Sequence, residues 1–207
     1  MKKQKRAQIV RHHLEALFPD PPIPLNHKDP FTLLVAVILS AQCTDARVNL
    51  VTPQLFEVAD TPQKMAKLPV DTLQTLIQTC GLSNTKAKNL KAMAQILIDN
   101  FDGQVPPSIA EMKKLPGVGQ KTASVVLAQA FGKPAIGVDT HILRCAKRWG
   151  LTQHTDPSDV EEDLKKLYPK NIWRLIHLQM IYYARKYCPA RGHIVENCPI
   201  CHELDRM

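Results

Sequence analysis

Apolar residues recur along this chain at intervals of three and four, the spacing that lines one face of a helix. Ile9, Val10, His13, Leu14, Leu17 and Phe18 mark such a face on a first helix, which the proline-rich stretch 19–24 ends. Phe31 to Leu39 is apolar except for Thr32 and predicts a buried central helix. Leu90, Met93, Ala94, Leu97, Ile98 and Phe101 draw a stripe on a longer one. Ser108 with Glu111, and Ser158 with Glu161, have the spacing of capping boxes and predict two helix starts. A last long helix is expected over about residues 171–187. Almost no segment alternates with period two, so the pattern excludes a sheet and predicts an all-α fold.

Two segments share a plan of short helix, glycine turn and second helix. One runs from Asp71 to Leu97 through Cys80-Gly81-Leu82-Ser83-Asn84; the other runs from Ser108 to Phe131 through Pro116-Gly117-Val118-Gly119. No low-complexity linker interrupts the chain, so a domain boundary must fall in a short turn. The prolines near Pro22 and Pro134 offer the best positions.

The bulk composition narrows the partners. The 207 residues form one domain or two small ones, long enough to bury roughly 70% of the unfolded surface. Hydrophobic (44%) and charged (22%) fractions are those of a soluble globular protein. A formal charge of +8 favours a polyanionic partner, nucleic acid or an anionic surface. With only 5% aromatic residues, an extended base-stacking platform is not expected. No apolar run approaches a membrane span, and the basic start Met1 to Arg6 is not followed by the apolar segment of a signal peptide. These features point to a cytoplasmic, nucleoid-associated protein with no membrane partner.

The densest chemistry lies in Leu115-Pro116-Gly117-Val118-Gly119-Gln120-Lys121 and, downstream, Gly137-Val138-Asp139-Thr140-His141. Gly117 and Gly119 are free to take positive φ and carry no side chain, so the turn's amides can approach a phosphate oxygen. A helix starting near Gln120 adds unpaired N–H groups and the positive end of its dipole. The alternative is a plain helix connection with a glycine cap. Lys121 falls in the first helical turn, where the dipole disfavours a cation and an uncharged, nucleophilic amine is easier to keep. It reads equally as a phosphate-neutralising lysine. Asp139 precedes the periodic residues Ile142, Leu143, Cys145, Ala146 and Trp149, as a helix N-cap does, and a capping carboxylate also suits stabilising a cationic sugar. His141 is a phosphate contact or a packed histidine.

Together with Ser40-Ala41-Gln42-Cys43-Thr44-Asp45 and Cys80 to Ala87, these motifs resemble the endonuclease III family of helix-hairpin-helix DNA glycosylases over nearly the whole chain. The resemblance implies two helical lobes with DNA in the cleft between them. Residues 23–133 would form a six-helix domain containing the hairpin, and residues 1–22 plus 134–207 a second domain built from both termini. It implies a monomer that binds double-stranded DNA carrying damaged pyrimidines or abasic sites, excises oxidised pyrimidines and then cuts the strand. By position Lys121 matches the Schiff-base nucleophile and Asp139 the catalytic carboxylate. Gln42 and Leu82 match residues that fill the gap left by an extruded nucleotide, while Gly117, Val118, Gly119 and His141 are expected at the DNA backbone. Two rivals stand beside this reading. A monofunctional glycosylase of the same fold would use an activated water and has no need of Lys121. A DNA-binding helix-hairpin-helix module without chemistry has no need of Asp139.

The six cysteines fall into two groups. Cys43, Cys80 and Cys145 stand singly and read as small buried hydrophobes. Cys188, Cys198 and Cys201 crowd the C-terminus and read as metal ligands rather than disulfides. The resembled family ends in C-x6-C-x2-C-x5-C, four thiolates for a [4Fe–4S] cluster. With Cys198 and Cys201 as the x2 pair, Met207 stands where the fourth cysteine belongs. Three outcomes follow: a cluster with His193 or His202 as fourth ligand, zinc on the same set, or thiols without metal.

Overall fold

The computed structural model describes residues 2–207, and among them every regular element is helical. The contacts divide the chain into two compact units, one of residues 23–133 and one of residues up to 22 together with 134–207.

The first of these carries seven helices: α2 (Pro30–Leu39), α3 (Asp45–Val58), α4 (Pro62–Lys67), α5 (Val70–Leu76), α6 (Ser83–Phe101), α7 (Ile109–Met112) and α8 (Gln120–Phe131). The run from Phe31 to Leu39 is buried along its entire length in α2. Each large aliphatic side chain so enclosed contributes roughly 1.5–3 kcal/mol. The start of α2 has a capping box that the sequence pattern did not single out. Asp29 accepts from the Thr32 amide at 2.8 Å, and the Thr32 hydroxyl accepts from the Asp29 amide at 3.1 Å. Proline in the first turn forfeits no hydrogen bond there. Helix α2 packs on α8 and α3, and α6 packs on α4 and α5 along the expected stripe. Ser108 caps α7 by accepting from the Glu111 amide at 3.5 Å, while the Glu111 carboxylate turns to Lys114 instead of completing the box.

The second unit is built from α1 (Lys2–Leu17), α9 (Thr140–Arg148), α10 (Pro157–Leu167), α11 (Trp173–Lys186) and α12 (Pro199–Asp205). Its core gathers Val10, Leu14, Ile142, Trp149, Leu164 and Tyr183. Helix α9 lies on α11, and α1 packs against both α11 and α12. Two expected boundaries move. Helix α10 starts at Pro157 under the cap of Asp156, whose carboxylate accepts from the Ser158 amide at 2.8 Å, so Ser158 is inside the helix and not its cap. The last long helix begins at Trp173 because residues Lys170–Ile172 form a 3-10 turn.

Candidate functional site

The hairpin is a turn in which Val118 N–H donates to Leu115 C=O at 3.1 Å and Val118 turns inward, 7% exposed. Gly117 sits at φ +78°, a conformation that favours glycine, and a Cβ there would stand 3.1 Å from the Asn89 side-chain amide, which would have to shift to admit it. Gly119 departs from the expectation of positive φ. It is the N-cap of α8 in extended backbone, φ −94°. A Cβ at Gly119 would meet nothing within 4 Å. Internal packing therefore does not require glycine here; what glycine does is leave the space before the first amides of α8 clear. Lys121 is exposed on the first turn of that helix.

Two further loops of the same unit carry Gln42 and Leu82, both exposed. Each is left-handed, at φ 54° and φ 60°; among the described residues only Asp102 shares that state outside glycine. Such a conformation costs of order 1–3 kcal/mol and persists only where the surroundings impose it. The two loops are neighbours: a Cβ on Gly81 would stand 3.5 Å from the Gln42 carbonyl. Beside them lies Lys86, a residue to which the sequence pattern assigned no role. It is 4% exposed, and its ammonium donates to Leu39 C=O at 2.8 Å and Ala41 C=O at 2.7 Å. It thereby caps the end of α2 from α6 and ties the Gln42 loop to the turn of Leu82. Burial pulls its pKa below the ordinary lysine value. Beneath it Cys80 is pushed up to about 11 by burial and then by its hydrogen bond with Cys43.

In the other unit Asp139 is the N-cap of α9, half-buried, and its carboxylate accepts from the Ile142 amide at 2.8 Å. His141 lies in the first turn of the helix with its Nδ1 3.2 Å from the Arg144 guanidinium. Arg144 goes on to donate to Cys188 C=O at 3.2 and 3.1 Å. Arg148, one turn further, donates to the Cys188 sulfur at 3.2 Å and to Pro189 C=O at 3.0 Å. Helix α9 is thus bolted to the C-terminal cysteines.

Those cysteines converge. Cys188, His193, Cys198 and Cys201 place one donor atom each within 4.8 Å of one another. His202 is not in the group; its amide instead bonds Cys198 C=O at 2.8 Å in the first turn of α12. Cys145 is no plain hydrophobe: its thiol bonds Cys188 from α9. Hydrogen bonds from Cys145, then Cys198 and Cys201, hold Cys188 well below the ordinary thiol range, and the bond to Cys188 pushes Cys145 and Cys201 up. Tyr183 lies against the Cys198 sulfur at 3.4 Å while accepting from the Ile200 amide at 2.8 Å. Burial raises the Tyr183 phenol and keeps it protonated.

Residues 35–170 match the profile of the HhH-GPD superfamily, base excision DNA repair proteins. The chain is 41% identical over 197 residues to Endonuclease III of Bacillus subtilis strain 168, covering 95% of this chain and 90% of that protein. It superposes on a non-covalent Endonuclease III–DNA complex with a TM-score of 0.92 at 42% identity, covering 100% of this chain and 97% of the other. A trapped Endonuclease III–DNA covalent intermediate gives 0.91 at 42% identity, with 97% of each chain covered. The chain belongs to the endonuclease III family of the HhH-GPD superfamily. It is a DNA-binding enzyme of base excision repair, all-α as the helical periodicity predicts. No helix among the described residues is long and apolar enough to cross a membrane.

Proposed function

We infer that this chain is a bifunctional DNA glycosylase and abasic-site lyase acting on oxidised pyrimidines, with Lys121 as nucleophile and Asp139 as the assisting carboxylate. The observation that carries the reading is Lys121 itself, exposed on the first turn of α8 immediately after a glycine turn whose amides are open to a phosphate. An amine there reaches a nucleotide whose backbone the hairpin grips.

The Lys121 amine attacks C1′ of the damaged nucleotide, and the base leaves with the electrons of the glycosidic bond. Asp139, held by the Ile142 amide, supports positive charge developing on the sugar and takes part in the proton transfers. The amine is then joined to the opened sugar as an iminium, which acidifies the C2′ proton. Loss of that proton expels the 3′ phosphate by β-elimination, and water releases the lysine. Gln42 and Leu82 fill the space vacated by the extruded nucleotide; unstacking costs a few kcal/mol, which an apolar wedge such as Leu82 partly offsets. Gly117, Val118 and Gly119 hold the backbone through amides, and His141 adds a backbone contact from α9. The enzyme works as a monomer in the cytoplasm, on nucleoid DNA. The C-terminal group of Cys188, His193, Cys198 and Cys201 holds a metal centre, an iron–sulfur cluster or zinc, that fastens α9 and stays outside the reaction.

Borohydride trapping on DNA containing an abasic site or thymine glycol tests the reading. The wild-type chain is expected to give a covalent adduct that Lys121→Ala abolishes, and Asp139→Asn to slow base release by about 10²–10⁴-fold. Base release without an adduct would make the enzyme monofunctional, and binding with neither would make it a module without chemistry.

A further inference from the structure

We propose that the C-terminal centre of this chain binds one zinc ion in a closed tetrahedral site of three cysteines and one histidine, Cys188, His193, Cys198 and Cys201, in place of the four-iron cluster of its family. The proposal deepens the reading of that group as a metal centre and rests on it.

The spacing of the ligands is the first observation. Four donors on one ion with Zn–S near 2.3 Å stand about 3.8 Å apart. In a [4Fe–4S] cluster each thiolate binds a different corner of the cube, and the sulfurs are roughly 6 Å apart. Here the Cys188 and Cys201 sulfurs are 4.0 Å apart, and no two of the four donors are separated by more than 4.8 Å. A cube does not fit between them; a single ion does.

The donor set agrees. Nine residues separate Cys188 from Cys198 where the family has six, and with Cys198 and Cys201 as the x2 pair the fourth position falls at Met207, which offers no thiolate. The cluster set is therefore one thiolate short, and the fourth donor that converges on the three sulfurs is the imidazole of His193, at a place that set does not use. Three thiolates and an imidazole are a structural zinc set.

The third observation is His193. Its Nε2 is buried and has no hydrogen-bond partner, a costly state for a ring nitrogen beside three sulfurs unless it faces a cation. The surroundings suit a thiolate-rich ion: Arg148 donates to the Cys188 sulfur and Tyr183 lies at hydrogen-bond distance from the Cys198 sulfur. With all three cysteines buried and four donors present, the ion has no open position, so its work is to close the C-terminal segment onto α9.

The experiment is anaerobic purification of the full chain from cells supplied with both iron and zinc, followed by metal and acid-labile sulfide analysis. One zinc per chain, no sulfide and no visible charge-transfer absorption are expected. Cobalt exchange is expected to give the intense d–d bands of a tetrahedral site with three sulfur donors and one nitrogen. His193→Ala should weaken zinc binding by more than about tenfold. Should that variant fold poorly, His193→Cys must still hold one zinc and move the cobalt spectrum towards that of four thiolates. Four irons with four sulfides per chain would overturn the zinc proposal and leave the metal-centre reading standing. A chain that is isolated free of metal and takes up none, or one with a Cys188–Cys201 disulfide, would overturn both. Zinc affinity unchanged in His193→Ala would remove the histidine from the site.

Discussion

The loops of residues 23–133 and the C-terminal segment of the other unit face the same difficulty and meet it with different materials. Both must keep short, poorly cored stretches of chain in one conformation. In the first unit the means is backbone: left-handed residues at Gln42 and Leu82 lie in two neighbouring loops, beside a buried lysine that donates to the Leu39 and Ala41 carbonyls. In the second it is side-chain sulfur, with Arg144 and Arg148 fastening α9 to the carbonyl and thiolate of Cys188. An irregular loop can thus be held without an ion when a buried ammonium takes up its carbonyls. Between α11 and α12, where the chain's regular structure is a single 3-10 turn at Val195–Asn197, the donors converge on a common centre.

If that contrast is right, Lys86→Met should have the largest effect on stability. Removing the ammonium orphans two carbonyls, a loss of about 3 kcal/mol in a denaturant titration. Base release in single turnover should fall as well, although Lys86 is buried away from any DNA, because the Gln42 and Leu82 loops lose their common anchor. A Lys86→Met chain of unchanged stability and rate would leave the loops held by something else.

A smaller effect separates the two glycines of the hairpin. Gly117→Ala forces a left-handed alanine against Asn89 and should cost about 1–2 kcal/mol. Gly119→Ala meets extended backbone and open space, so its stability should stay within about 0.5 kcal/mol of wild type while its methyl intrudes where a phosphate would sit. DNA affinity in a binding titration at fixed salt should drop about tenfold, some 1.4 kcal/mol. Equal stability losses in the two variants would mean that both glycines serve the turn and neither the ligand.

The smallest effect is a matter of pH in the first unit. Asp60 is lowered from 3.8 to about 2 by hydrogen bonds from Lys28 and then Lys64. A depressed folded value adds stability that is complete above the unfolded pKa and fades as pH falls from about 4 towards 2. Asp60→Asn should therefore lower thermal stability slightly at pH 7 and leave it unchanged near pH 2. A difference that persists in acid would assign the residue another role.

The pattern of apolar positions determined by itself that the chain is helical. It also placed the buried run of α2 and the stripe of α6, because helix faces are written at three- and four-residue intervals. The hairpin was legible at Gly117, since a left-handed turn is a local requirement for glycine, but not at Gly119, which the structure places in extended backbone as the N-cap of α8. The convergence of three cysteines could be read from their proximity in the chain. Tertiary structure alone decided the rest. Lys86 looks like any exposed lysine until α2, more than forty residues away, ends against it and leaves carbonyls to be paired. Cys145 becomes a neighbour of Cys188, and His193 rather than His202 joins the sulfurs, only once α9, α11 and α12 have packed. Even the start of α10 went to Asp156 over Ser158, a choice between two competent caps that residue types do not settle. Short-range periodicity and turn chemistry are encoded where they act, whereas a buried cation or a ligand shell is defined by groups that meet only when distant helices close.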